Sequence, residues 1–201
     1  PAEAPVVTDA DIASLPMPVQ RYLRFAGVVG RPRVWNYQLR YTGGLRSAPD
    51  KAFMTGTTDQ QSFTNPPARL FLVHMSMFGV PAEAYHRYVG PAATFEVKLA
   101  SLVQVVDAKG PEMDRAETVT LFNDMCLLAP ATLIEAGIAW EELDPQTVRA
   151  TWANAGHTIT ATLSFDPTGA LTNFVSEDRA RTEDLANMGV TDLPPGSAVG
   201  S

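Results

Sequence analysis

Residues His157 to Phe165 alternate without a break, and that period fixes what this part of the chain can become. Ile159, Ala161, Leu163 and Phe165 fall on one side, and Thr158, Thr160, Thr162 and Ser164 on the other. A period of two gives a strand with one buried and one wet face. The same pattern recurs from Val34 to Tyr41, where Trp35, Tyr37, Leu39 and Tyr41 oppose Asn36, Gln38 and Arg40. It returns from Thr147 to Trp152. A weaker, Thr/Gln-rich run at Ala52–Phe63 and further runs at Arg69–Met77, Ala82–Val89, Ala93–Leu99, Ser101–Val106, Ile138–Leu143 and Leu171–Ser176 complete the set. Gly, Asp, Asn and Pro clusters separate them, with Pro66-Pro67 closing one strand and Asp107-Ala108-Lys109-Gly110 read as a hairpin signal.

One long helical pattern interrupts the strands, within Asp114–Glu142. Asp114 followed by Glu117 fits a helix start. Val119, Phe122, Met125 or Cys126, and Ala129 recur at helical spacing, which predicts one inward face. Pro130 stops or restarts the helix, and Gly137 ends the second turn. An earlier helical segment, Asp9–Gly27, is interrupted at Leu15-Pro16-Met17-Pro18.

These elements predict an α+β fold: a curled antiparallel sheet of half-barrel-like meander form, of about eight to ten strands. Its apolar face needs a cover, which the central helix and the N-terminal helix supply. The expected organisation is a flexible lead-in over residues 1–8, a single domain over 9–180, and a loose C-terminal tail over 181–201.

With 201 residues and 45% apolar content, the chain can bury a sizeable core. The net charge of -7 argues against nucleic acid as a partner. A lone cysteine, Cys126, permits no internal disulfide, and its apolar neighbours predict a buried thiol. His74, His86 and His157 lie on separate elements without metal-ligand spacing, so no metal is expected. No dinucleotide glycine motif, P-loop or serine-hydrolase elbow is present, and no cofactor is expected.

Asn123-Asp124 sits mid-helix between apolar runs, where neither residue favours helix. Asp124 and Glu117 would share one side of the helix, a placement suited to acid/base work or to plain solvation. Asp178-Arg179 reads either as an anion-binding arginine with its partner or as a structural ion pair. Glu117, Asp124 and Arg179 are therefore the candidate catalytic residues. Methionines and aromatics suit an adaptable apolar pocket or simple core filling. The candidate ligand-binding set is Trp35, Leu39, Met75, Met77, Phe78, Phe122 and Met125.

Leu15-Pro16-Met17-Pro18-Val19-Gln20-Arg21-Tyr22-Leu23-Arg24-Phe25-Ala26-Gly27 resembles the opening of an uncharacterised bacterial family of unknown function. Met77-Phe78-Gly79-Val80-Pro81, the Glu117–Pro130 stretch, Ile138-Ala139-Trp140-Glu141 and Asp178-Arg179 resemble its later blocks in order, over about residues 14–180. The resemblance implies an upstream membrane segment outside this chain and a place in the cell envelope. It also implies further strands after Arg179, where this sequence departs from the pattern. A sheet edge left without them is covered, tolerated or paired with a second copy, so a homodimer through that edge is an expectation.

Three functions fit. The first is binding of a lipid or other apolar small molecule between sheet and helical lid. The second is an enzyme using Glu117 or Asp124 with Arg179 or a histidine. The third is a structural or interaction domain of the envelope.

Overall fold

The computed structural model describes residues 4–45, 50, 53–77 and 79–179, with only the backbone of Leu45 and Met77. Its strands are all antiparallel and form two sheets, neither closed into a barrel. The α+β class holds, while the expected continuous sheet divides. Six strands run in chain order: β1 Asn36–Leu45, β2 Met54–Thr64, β3 Pro67–Met77, β4 Val80–Val89, β5 Ala92–Leu99 and β6 Val103–Lys109. Four more follow: β7 Ala139–Asp144, β8 Thr147–Asn154, β9 His157–Phe165 and β10 Leu171–Val175. Helices α1 (Asp9–Ile12) and α2 (Met17–Phe25) precede the sheets, and α3 (Pro111–Leu128) separates them in the chain.

The chain divides into two compact units. Unit 1 holds Pro1–Trp35 and Thr118–Asp178; unit 2 holds Asn36–Glu117 together with Arg179. The expected tail over 181–201 lies outside the described residues. Among the described residues no helix is long and apolar enough to cross a membrane.

In unit 1 the core grows from the alternation of β8 and β9. Val148, Ala150 and Trp152 are buried on one strand, and Ile159, Ala161, Leu163 and Phe165 on the other. Helix α2 packs Val19, Tyr22 and Leu23 inward, with Tyr22 against the Phe165 ring at 5.4 Å. Phe122 of α3 stacks on Trp152 at 5.5 Å and meets Phe174 at 5.8 Å. The Trp152 indole N–H is satisfied by the Ala136 carbonyl at 3.0 Å.

Pro130 leaves a trace in this core. A proline has no N–H, so the Cys126 carbonyl four residues earlier loses its helical donor. The buried Tyr22 hydroxyl donates to that carbonyl instead. Burial pushes both the Tyr22 hydroxyl and the Cys126 thiol above their ordinary pKa values, so neither ionises near neutrality. Gly169, at φ +99°, closes the β9–β10 turn where a Cβ would lie 2.9 Å from the Arg21 carbonyl oxygen.

Helix α3 begins at Pro111, three positions before the expected start. Proline suits the first helical position, where no N–H is needed. Asp114 does not serve as the cap: its carboxylate accepts the Ala93 N–H at 2.6 Å. Nor does α3 keep one wet face. Ala116 to Val119, Leu121 to Asn123, Met125 and Cys126 are all buried. The reason is legible in hindsight: between Glu117 and Leu128 the only charged residue is Asp124.

Two boundaries differ from expectation for physical reasons. The hairpin signal Asp107-Ala108-Lys109 is the end of β6, with Ala108 buried between two outward charges, and only Gly110 (φ +123°) turns the chain. Pro67 opens β3 instead of closing β2, a strand position that needs no donated hydrogen bond.

Candidate functional site

Register sorts the side chains of unit 2 onto two faces. Leu39, Gln60, Phe71, His86, Phe95 and Ala108 lie in one row across all six strands. Rows two residues away on the same face carry Tyr37, Ser62, Arg69 and Tyr88 on one side, and Tyr41, Thr58, Val73 and Ala84 on the other. We call this the inner face. Of its residues on β4 and β5, Ala82, Ala84, Tyr88, Ala93, Phe95 and Val97 are buried, and His86 and Leu99 are half-buried. Its residues on β1 and β3 are only half-buried at Tyr37, Leu39, Phe71, Val73 and Met75, and Tyr41 is 43% exposed.

Strand β2 between them carries short polar side chains inward. Thr58, Gln60 and Ser62 are buried because larger neighbours lean over them, with the Tyr41 and Phe71 rings 6.5 Å apart above the strand. The Gln60 amide is kept bonded by donating to Ser62 Oγ at 3.1 Å.

Against this face stands Glu117, 5% exposed. Its Oε2 lies 3.3 Å from Arg69 Nη1 and its Oε1 lies 3.4 Å from His86 Nδ1. Arg69 is itself buried, with its guanidinium 4.2 Å from the centre of the Phe71 ring. The His86 ring is stacked on Phe95 at 3.9 Å and meets Phe71 edge-on at 5.8 Å. Two aromatic rings therefore fix the imidazole plane, and a carboxylate oxygen lies beside Nδ1, which makes no hydrogen bond.

Burial alone would push the Glu117 carboxyl up. His86, Arg69 and Arg179 outweigh that effect and hold it at about 2. Such a carboxylate exchanges no proton near neutrality; it orients and balances charge. With Nδ1 turned to Glu117, Nε2 is the imidazole atom that addresses the inner face. Among the described residues Nε2 makes no hydrogen bond.

The candidate residues from the sequence therefore separate. Glu117 and Arg179 come together in unit 2. Asp124 is half-buried and belongs to unit 1. Asp178 accepts the Thr160 N–H at 2.6 Å and the Thr160 hydroxyl at 3.0 Å. Leu39 and Met75 share the inner face of unit 2. Phe122 and Met125 are buried in unit 1, and Trp35, also in unit 1, is 46% exposed. The Met77 side chain and Phe78 lie outside the described residues. Arg69 and His86 were missed as site residues. For Arg69 the signal was present, a charge on the same strand parity as Phe71, Val73 and Met75.

Unit 1 carries a separate open cleft of about 500 Å3, lined by Leu15, Pro16, Leu133, Ile138, Trp140 and Glu142 among others. Glu142 accepts the Met17 N–H at 3.2 Å at its edge. Among the described residues no group of three or more His, Cys, Asp or Glu could hold a metal ion.

No curated protein matches the chain. Residues 5–189 match DUF6544, described as a family of unknown function, and the chain belongs to that family.

Proposed function

We propose that the protein binds an amphiphilic small molecule, a lipid or a lipid-like compound, along the inner face of the six-stranded sheet. The observation that carries this reading is the uneven burial of that face. Side chains of one face that are mostly buried on β4 and β5, His86 and Leu99 apart, stand half-open or exposed on β1 and β3 at Tyr37, Leu39, Tyr41 and Phe71, which present an aromatic and aliphatic surface. Apolar surface of this kind gains about 25 cal/mol per Å2 when an alkyl chain covers it. A polar cluster, Arg69, His86 and Glu117, lies on the same face. Apolar lining with a few placed polar groups is the usual make-up of a small-molecule site. An envelope setting, expected from the family resemblance, would supply such ligands.

The test is native mass spectrometry of the purified full chain, followed by solvent extraction and lipid analysis. The expected result is a one-to-one adduct of an alkyl-chain compound, lost in a Leu39→Asp variant that keeps its circular dichroism. A protein that carries no such compound and takes up none when it is supplied removes the proposal.

Acid–base catalysis by His86 uses the same cluster and ranks second. Among the described residues no hydroxyl or thiol is hydrogen-bonded to Nε2, so no nucleophile is paired with it.

A further inference from the structure

The six strands of unit 2 segregate their charges by face. Asp59, Glu83, Glu96 and Asp107, the carboxylates of these strands, all have the parity of the outer face. There they meet Arg40, His74, Lys98 and Lys109 at 3.0 to 3.8 Å. The inner face receives from the strands only Arg69 and His86 among Asp, Glu, Lys, Arg and His. The chain as a whole carries a net charge of -7, so this is the reverse of its average. Helix α3 adds one inward carboxylate, Glu117, which turns one oxygen to Arg69 and the other to His86.

We infer that the ligand of the inner face is an amphiphile with an anionic head, carboxylate or phosphate, seated at His86 Nε2 beside Arg69, with its alkyl chain over Leu39, Tyr41 and Phe71. The inference rests on the binding proposed above and adds the chemistry of the head. Glu117 Oε1 lies 3.4 Å from Nδ1 without a hydrogen bond to it, and an imidazole carrying its proton on Nε2 presents that N–H to the ligand. The Phe71 and Phe95 rings hold the imidazole edge toward the face without competing for a hydrogen bond. The strands place no carboxylate on this face to repel the head, whereas an alkylammonium would meet the Arg69 guanidinium and an Nε2–H there.

The experiment is calorimetric titration of the full chain with four compounds of one chain length: the fatty acid, its methyl ester, the alkyl phosphate and the alkylamine. The acid is expected to bind roughly tenfold or more tightly than the ester, the difference a charge-assisted hydrogen bond makes. The amine is expected to bind more weakly than the ester. Comparing acid with phosphate identifies which anion the site takes. In His86→Asn the acid is expected to fall to the ester's affinity. Equal binding of acid, ester and amine by the native protein overturns the inference while leaving the binding proposal standing. Absence of binding by all four overturns both. The comparison among ligands needs no variant, so it holds even if His86→Asn fails to fold.

Discussion

Helix α3 buries side chains in two opposite ways along its length. In the part belonging to unit 1, Phe122 is fully buried against Trp152 and Phe174, and the stabilisation is area and packing. In the part belonging to unit 2, Glu117 is nearly as deeply buried, but among Arg69, His86 and aromatic rings. The first cluster is the sort that any well-packed core requires. The second keeps charges out of water, and a buried ion pair is often no more stable than apolar residues of the same shape. A cluster that stability does not require is where function is to be sought.

That contrast can be broken from either side. The largest effect is expected in unit 1. Phe122→Ala removes a ring stacked between aromatics and should cost about 3–5 kcal/mol, read as a lower midpoint in urea unfolding. A loss under 1 kcal/mol would mean that the ring is not part of a packed core. In unit 2 the outcome should depend on what is left behind. Glu117→Gln strands a buried guanidinium and is expected to cost on the order of 3 kcal/mol. Replacing the pair together, Arg69→Met with Glu117→Leu, should recover most of that stability while abolishing ligand binding. If the double variant is less stable than the single, the pair is structural and the contrast fails.

The subtlest test is pH. The Glu117 carboxyl is held at about 2 in the folded protein, against an ordinary 4.5. Its contribution is therefore fully present above pH 4.5 and is lost as pH falls toward 2, on the order of 3 kcal/mol at most. Between pH 5 and 2 the native protein should lose more stability than the double variant, by the share that Glu117 carries. Parallel curves would show that the surrounding cations do not stabilise the carboxylate.

Much of the fold was legible because alternation survives wherever a strand has one wet face. His157–Phe165 and β9 coincide end for end. Legibility fell where burial was polar. Thr58, Gln60 and Ser62 look like a solvent-facing stripe in the sequence, and they are buried because Tyr41 and Phe71 close over them. Nothing local to β2 reports neighbours brought in by register. The candidate site was half legible for the same reason. Glu117 is marked by its place on the helix side shared with Asp124, and Arg179 by its neighbour Asp178, but Arg69 and His86 join the cluster only through pairings between strands distant from α3 in the chain. The division into two sheets was not legible, because a long helix between strands is compatible with a cover over one sheet or a connection between two.

The segregation of charge by face also bears on how the six-stranded sheet finds its alignment. A slip of β4 by one residue would turn Glu83 and Arg87 inward and carry His86 out, and the same slip in β3 would replace Arg69 with Leu70 opposite Glu117. Each mispairing strands a carboxylate or breaks the ion pair, so the cluster penalises wrong registers during folding. In the DUF6544 chain the same few side chains thus act as a proofreading device for the sheet that carries them.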